Sequence, residues 1–184
     1  MKLKILLSII ILNLFFTCNA QKKQEKVNTK FNESYSISRK KFQGKLDSEQ
    51  LKQIRTLVSD ELKVEINENQ SLLINFHQFG ENCYEYSLEE KDAQRVIDNC
   101  ISISSRIARN YNVVDFFIFT DNALNKERFE KRRNFIKDSG FFSQIIFTLQ
   151  ENCRAFFILK PNGEFLKYYG SDYFTEVENF LKKK

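Results

Sequence analysis

Cysteines are the residues of this chain with the clearest chemical potential. Beyond the N-terminal segment, the sequence has Cys83, Cys100 and Cys153. A thiolate attacks a disulfide and a neighbouring thiol resolves the mixed disulfide, so catalysed exchange commonly uses a Cys-x-x-Cys pair. None of the three belongs to such a pair, which excludes ordinary dithiol exchange by that motif. Because their number is odd, at least one of them stays free or pairs outside the chain.

The other candidate groups have simpler interpretations. Cys100 lies on the apolar face of a predicted helix, which favours core packing over reactivity. His77, the only histidine, directly follows a strand-like run, and we expect a hydrogen-bonded structural role. The set His77, Glu81 and Cys83 has no recognised zinc spacing and no evident fourth ligand, so no metal site is predicted. Glu81 and Glu85 are expected in a solvated loop.

No cofactor is predicted either. The sequence contains no G-x-S-x-G, P-loop or Rossmann glycine pattern. With five glycines in the whole chain, a backbone cradle for phosphate is not expected.

Hydrophobic periodicity predicts alternating helices and strands. The first helix begins at Asp47 or Ser48, either of which can cap it. In chain order, the remaining predicted elements are the strand Leu72–Phe76, the helix Leu88–Tyr111, the strand Val113–Thr120, the helix Asn125–Lys137 ended by Gly140, the strands Gln144–Leu149, Arg154–Leu159 and Phe165–Tyr169, and the helix Tyr173–Leu181.

These elements predict an α/β sandwich with a mixed sheet. Leu72–Phe76 and Val113–Thr120 are apolar on both sides, which is typical of strands covered on both faces. Short βα links favour a right-handed crossover and parallel pairing of these two strands. The turn Lys160-Pro161-Asn162-Gly163 makes the last two strands an antiparallel hairpin, because Pro161 presets φ at the second turn position.

The order of elements resembles the thioredoxin fold, in particular the exported thioredoxin-like thiol-disulfide oxidoreductases of bacterial envelopes. The resemblance covers Leu46 to Leu181 and implies a three-layer sandwich with a mixed central sheet and helices on both faces. Leu73–Phe76 looks like the strand that enters the family's active site, and Phe156–Phe165 looks like its late hairpin. Glu81 and Tyr84 stand where the family has its two cysteines.

The same resemblance implies a pairing of distant cysteines. The family places a cis-proline before the first hairpin strand, opposite the active-site loop, and counting back from Gly163 puts Arg154 there. A cis bond at a non-proline residue is not expected, because it costs about 3 kcal/mol. Cys153, just before that position, would face the loop that carries Cys83. A disulfide between Cys83 and Cys153 is therefore predicted, the alternative being two free thiols.

Residues 1–20 have the features of an export signal. Two lysines precede the apolar run Ile5–Phe16, which is too short to span a bilayer comfortably. Cleavage after Ala20 would release a secreted protein. Alternatively, Leu14–Cys18 resembles a relaxed bacterial lipoprotein box, which would leave Cys18 as a lipidated first residue. Both interpretations export the chain.

Residues 21–45 form a polar tether in this interpretation, with a short extended piece near Tyr35–Phe42, and residues 46–184 form the thioredoxin-like domain. The formal net charge of +5 falls to +3 without residues 1–20, which contain two lysines and no acidic residue. This small excess does not indicate nucleic-acid binding. Membrane attachment is expected only through a lipid anchor on Cys18.

The leading functional hypothesis is an exported thioredoxin-like domain of the periplasm or cell envelope that has lost dithiol chemistry. It is expected to act by binding a protein partner or an envelope component rather than as an enzyme. The first alternative is a thiol-disulfide oxidoreductase in which Cys83 attacks and Cys153 resolves. The second is an immunity-type or structural envelope protein. The residues proposed for binding are Glu81, Asn82, Tyr84 and Arg154.

Overall fold

The computed structural model describes residues 33–171 and 174–183. The predicted export signal, the lipidation candidate Cys18 and the first part of the predicted tether lie outside these residues. Within them, the strands are β1 (Lys40–Lys45), β2 (Ser71–His77), β3 (Val113–Phe119), β4 (Phe135–Lys137), β5 (Arg154–Leu159) and β6 (Glu164–Tyr169). The α-helices are α1 (Glu33–Ser38), α2 (Ser48–Leu62), α3 (Glu90–Tyr111), α4 (Lys126–Glu130) and α5 (Phe174–Lys182). A 3-10 turn (Tyr84–Ser87) and a π-helical turn (Phe142–Ile146) complete the regular structure.

The strands form one mixed, open, six-stranded sheet in the order β1-β6-β5-β2-β3-β4. The strands β2, β3 and β4 are parallel to one another, while β5, β6 and β1 pair antiparallel. Every residue of β2, which lies between β5 and β3, is buried. The prediction of an α/β fold with a mixed sheet and packed helices is confirmed.

Helices pack on both faces of this sheet. Successive side chains of β2 point alternately to the two faces, so they contribute to both cores. Ile74 belongs to one core cluster, together with Val58 of α2. Leu73 belongs to the other, together with Ile107 of α3 and Val177 of α5. Neither α3, which has 22 residues, nor any other described helix is both long and apolar enough to cross a membrane.

The start of α2 confirms one of the two predicted caps. The Asp47 carboxylate accepts a hydrogen bond from the backbone N–H of Gln50 at 2.8 Å, and the Gln50 side chain accepts one from the Asp47 N–H at 3.1 Å. This reciprocal pair is a capping box, which satisfies two N–H groups that the first helical turn leaves without backbone partners.

The helix predicted over Asn125–Lys137 is wrong in its second half. The helix α4 ends at Glu130, well before Gly140, and the chain then forms β4, which pairs in parallel with β3. The change of structure buries Phe135, whose ring stacks on Phe129 at 4.5 Å between centroids. Burial of this aromatic side chain at the sheet edge outweighs the local helical pattern.

The strand predicted over Gln144–Leu149 is also wrong, because part of it lies in the π-helical turn. The Asp138 carboxylate accepts hydrogen bonds from the backbone N–H groups of Phe142 and Ser143, each at 3.0 Å. The turn buries Phe142 and Ile146 in the same cluster as Ile74. The segment is therefore not one of the six strands of the sheet, whose edge strands are β1 and β4.

The last part of the predicted tether belongs to the folded structure. Helix α1 occupies the start of the expected extended piece, and β1 then pairs with β6 from Lys40, opposite Tyr169, to Lys45, opposite Glu164. Tyr35 of α1 is 1% exposed, and its hydroxyl accepts a hydrogen bond from the backbone N–H of Ser171 at 2.7 Å. These contacts attach α1 and β1 to the rest of the sheet.

Candidate functional site

The loop after β2 lies alongside the segment that precedes β5. The backbone N–H of Glu81 donates to the carbonyl of Gln150 at 3.3 Å, and that of Asn82 donates to the carbonyl of Glu151 at 2.9 Å. Because β2 and β5 are antiparallel neighbours, the C-terminal end of β2 lies next to the N-terminal end of β5. The two segments therefore continue the strand pairing beyond the sheet.

Close approach of these segments requires glycine at position 80. A Cβ atom at Gly80 would lie 2.3 Å from the carbonyl carbon of Asn152 and 2.4 Å from the backbone nitrogen of Cys153. These are backbone atoms, so a larger residue could be accommodated only by moving the loop. Gln78 adds two hydrogen bonds across the gap, from its side-chain N–H groups to the carbonyls of Leu149 at 2.6 Å and Asn152 at 2.9 Å.

A disulfide joins Cys83 to Cys153 across these segments, which confirms the predicted pairing. The two cysteines are 70 residues apart in sequence, and their Cα atoms are 5.1 Å apart. Cys83 is 6% exposed and Cys153 is 4% exposed. An attacking thiolate has to reach one of the sulfurs, so exchange at this bond requires the loop to open.

A buried ion pair lies beside the disulfide. The Glu85 carboxylate accepts a hydrogen bond from Nε of Arg154 and a second one, at 2.9 Å, from the side-chain amide of Asn125. Glu85 is 5% exposed, so its predicted place in a solvated loop is wrong. Arg154 is 1% exposed, so it is not available at the surface for the binding role predicted from the sequence.

Arg154 also contacts Cys100, the free cysteine among the residues that the structure describes. Its Nη1 donates to Sγ of Cys100, which lies buried on α3 as the apolar helix face predicted. Burial raises the pKa of the Cys100 thiol, and the positive charge of Arg154 offsets part of this effect. The thiol therefore remains protonated near neutral pH, and a protonated thiol is not a nucleophile.

His77 is held by ring packing. Its ring lies 4.7 Å from that of Phe129 and 5.5 Å from that of Phe135, and its Nε2 has no hydrogen-bond partner among the described residues. Burial, and then the charge of Arg154, lower the pKa of His77 well below its usual value. His77 is thus a neutral core residue, and in the part of the chain that the structure describes no three His, Cys, Asp or Glu residues are grouped to hold a metal ion.

Apolar side chains are exposed around the disulfide. Phe79 is 38% exposed, Tyr86 51% and Leu124 40%, and we call these three residues the apolar patch. The rings of Phe79 and Tyr86 are 6.5 Å apart. Leu124 comes from the loop after β3, which is joined to the first loop by the hydrogen bond between Asn125 and Glu85. Loops that follow neighbouring parallel strands are a common place for ligands in open α/β sheets.

Three of the four predicted binding residues lie next to the apolar patch in sequence. Glu81 is exposed, whereas Asn82 and Tyr84 are half-buried. The ring of Tyr84 packs edge-on against that of Tyr35 at 6.3 Å, and burial raises the pKa of its hydroxyl. Phe79 was not predicted from the sequence, although an aromatic residue between Gln78 and the strand-ending Gly80 could have marked an exposed apolar position.

No protein-family model, curated protein or solved structure matches this chain. Proposals for its function therefore depend on the residues and contacts described above.

Proposed function

We propose that this chain is an exported thioredoxin-like domain that binds a protein partner in the periplasm or cell envelope, without a dithiol active site. The observation that carries the proposal is the apolar patch, which is exposed on two loops held by the Cys83–Cys153 disulfide and by the hydrogen bond between Asn125 and Glu85. Aromatic residues are enriched in the buried centres of protein interfaces, and exposed apolar patches often mark such sites.

The thioredoxin-like part of the proposal is supported by the four inner strands. Parallel β2 and β3, together with the antiparallel hairpin of β5 and β6, are the pairings that the resemblance implies. The edge strands β1 and β4 are not part of that pattern.

Several contacts favour binding by this surface. The disulfide and the backbone hydrogen bonds from Glu81 and Asn82 hold the loop, so that little conformational entropy is lost when a partner binds. Glu81 and Asn82 supply polar groups beside Phe79 and Tyr86, in the manner of a polar rim around an apolar centre. The partner expected from this chemistry is a protein with an apolar anchor residue.

The state of the cysteines supports both export and the absence of exchange chemistry. Disulfides persist mainly in oxidising compartments, as expected for an exported protein. Both bonded cysteines are buried, and the pKa of the Cys100 thiol is raised by its own burial. A binding role therefore agrees better with this geometry than a catalytic one.

Site-specific photocrosslinking tests the proposal. A photoreactive phenylalanine analogue is placed at Tyr86, or as a control at Val64, which is also exposed but follows α2. We expect one crosslinked partner from position 86 in cells that export the chain, none from position 64, and loss of the product in a Phe79→Ala background. The same product from both positions, or none from position 86, would contradict the proposal.

The second candidate is a thiol-disulfide oxidoreductase, which is favoured by the bond between Cys83 and Cys153. In that mechanism the reduced Cys83 attacks a substrate disulfide and Cys153 resolves the mixed disulfide. An insulin-reduction assay separates the candidates. The binding proposal predicts no turnover, whereas activity that Cys83→Ser abolishes would establish the oxidoreductase.

A further inference from the structure

An apolar groove lies between α2 and the π-helical turn, and it shares no lining residue with the apolar patch. Its volume is about 360 Å³, within the range of small-molecule sites. The apolar walls are formed by Ile54, Leu57, Ile145, Ile146, Phe157 and Phe165.

Two of the apolar residues that form these walls are exposed to solvent. Ile145 is 60% exposed and Leu57 is 41% exposed, although both line the same groove. Single exposed apolar residues are common, but apolar residues gathered around a cavity mark a place where a ligand can remove them from water.

Lys167 is the charged residue that lines this groove. Its ammonium donates to the carbonyl of Ile146 at 2.8 Å and lies 5.1 Å from the centre of the Phe42 ring. Burial lowers the pKa of Lys167, and no carboxylate in the described part of the chain offsets that effect. An ammonium has three N–H donors, so donors remain for an anionic group in the groove.

The mostly apolar lining of the groove favours an alkyl chain over a peptide. The side chains of Gln50 and Gln53 are its other polar lining groups. A peptide would bring backbone N–H and C=O groups that need partners when buried, whereas an alkyl chain brings none. A water molecule occupies about 30 Å³ in the liquid. If each non-hydrogen atom of a ligand takes about the same volume, this cavity holds about twelve such atoms.

We propose that this groove binds a medium-chain fatty acid, whose carboxylate accepts hydrogen bonds from Lys167 and whose alkyl chain lies between α2 and the π-helical turn. The ligand removes Leu57 and Ile145 from water and neutralises a half-buried cation. Binding here is independent of the protein partner proposed for the apolar patch, because the two sites use different residues.

Calorimetric titration with sodium decanoate, kept below its micelle concentration, tests this site in the purified chain. Lys167→Met keeps the apolar stem and removes the charge, and Lys52→Met is the matched control because Lys52 is exposed on α2 outside the groove. We expect wild type and Lys52→Met to bind decanoate equally, and Lys167→Met to bind it about tenfold more weakly or worse. Decanol, which has no charge, should bind all three proteins alike.

A second variant keeps the test decisive if Lys167→Met does not fold. Ile145→Ser changes a mostly exposed side chain, and we expect it to weaken decanoate binding about threefold to tenfold through the lost apolar contact. Equal affinity in wild type and both variants, or no binding to wild type, overturns the proposal. So does a concentration-dependent dimer that Ile145→Ser abolishes, because the groove would then be covered by a second copy of the chain.

Discussion

At the residue scale, the Glu85–Arg154 pair is a buried ion pair whose two side chains are 4% and 1% exposed. Replacing Glu85 by Gln keeps the shape of the side chain but removes the carboxylate that pairs with the buried Arg154 guanidinium. We expect the free energy of unfolding to fall by about 3–5 kcal/mol, the range found when one member of a buried pair is removed. Urea unfolding with the disulfide intact measures this change.

Two further variants control that experiment. Glu81→Gln makes the same chemical change at an exposed position of the same loop, and it should alter stability by no more than about 0.5 kcal/mol. Glu85→Leu combined with Arg154→Met removes both charges and should recover much of the loss. Equal effects of Glu85→Gln and Glu81→Gln would show that the buried pair is unimportant.

His77 gives the residue-scale prediction for pH. Burial, followed by the charge of Arg154, holds the pKa of His77 well below 6.5, whereas the unfolded chain binds this proton near pH 6.5. Below about pH 6.5 the unfolded state therefore carries one more proton, and the free energy of unfolding falls by about 1.4 kcal/mol for each pH unit. Above that pH neither the folded nor the unfolded state binds this proton, so His77 does not contribute to the pH dependence of stability.

Urea unfolding at pH 7.5 and 5.5 measures this loss. His77 is the only histidine of the sequence, so His77→Leu should remove most of the dependence in that window. A variant with the same slope as the wild type would show that His77 is protonated in the folded protein or that other groups dominate.

At the scale of elements, the disulfide connects the loop after β2 to the beginning of β5. By the chain-entropy argument, cross-linking residues 70 positions apart adds about 4 kcal/mol to the free energy of unfolding. We expect the double variant Cys83→Ser with Cys153→Ser to lose about that amount, measured by urea unfolding without reductant.

Reductant supplies the control for the disulfide. It should destabilise the wild type but leave the double variant unchanged, because Cys100 has no described disulfide partner. A non-reducing peptide map that shows Cys83 and Cys153 as free thiols would contradict the pairing itself.

Elements with strong local signals could be predicted from the sequence. The apolar runs of β2 and β3, the period of α2 with its Asp47 cap, and the hairpin turn at Pro161 all agree with the structure. The strand β4 and the π-helical turn, which lie between α4 and β5, could not be predicted, because their conformations depend on distant partners. Phe135 pairs with Phe117 of β3, which no local periodicity reveals.

At the scale of the whole molecule, α1 and β1 complete the sheet. A chain that begins at Leu46 would lose β1, which covers the edge of β6, and the buried contacts of Tyr35. Compared with a chain that begins at Glu33, we expect a free energy of unfolding at least about 2 kcal/mol lower, from lost apolar burial alone. Urea unfolding of the two chains measures the difference.

Association provides a second measurement for this prediction. Uncovered sheet edges offer unpaired backbone groups to other chains, so the shorter chain should self-associate in sedimentation velocity. Equal stability and equal sedimentation of the two chains would show that residues 33–45 act only as a tether.

The sequence by itself determined the alternation of helices and strands, the mixed character of the sheet and the absence of a Cys-x-x-Cys motif. These features follow from periodicity, turn residues and residue identity, which are local properties. The Cys83–Cys153 disulfide could be predicted only from a resemblance to a known fold, which placed two positions that are distant in sequence side by side.

Only the tertiary structure decided which polar groups are buried and which apolar groups are exposed. Glu81 and Glu85 are only four residues apart, yet one is exposed and the other is buried against Arg154, 69 residues away from Glu85. The apolar patch and the groove beside Lys167 likewise join side chains from several elements. Burial depends on the order of strands and the path of loops, and a local pattern specifies neither.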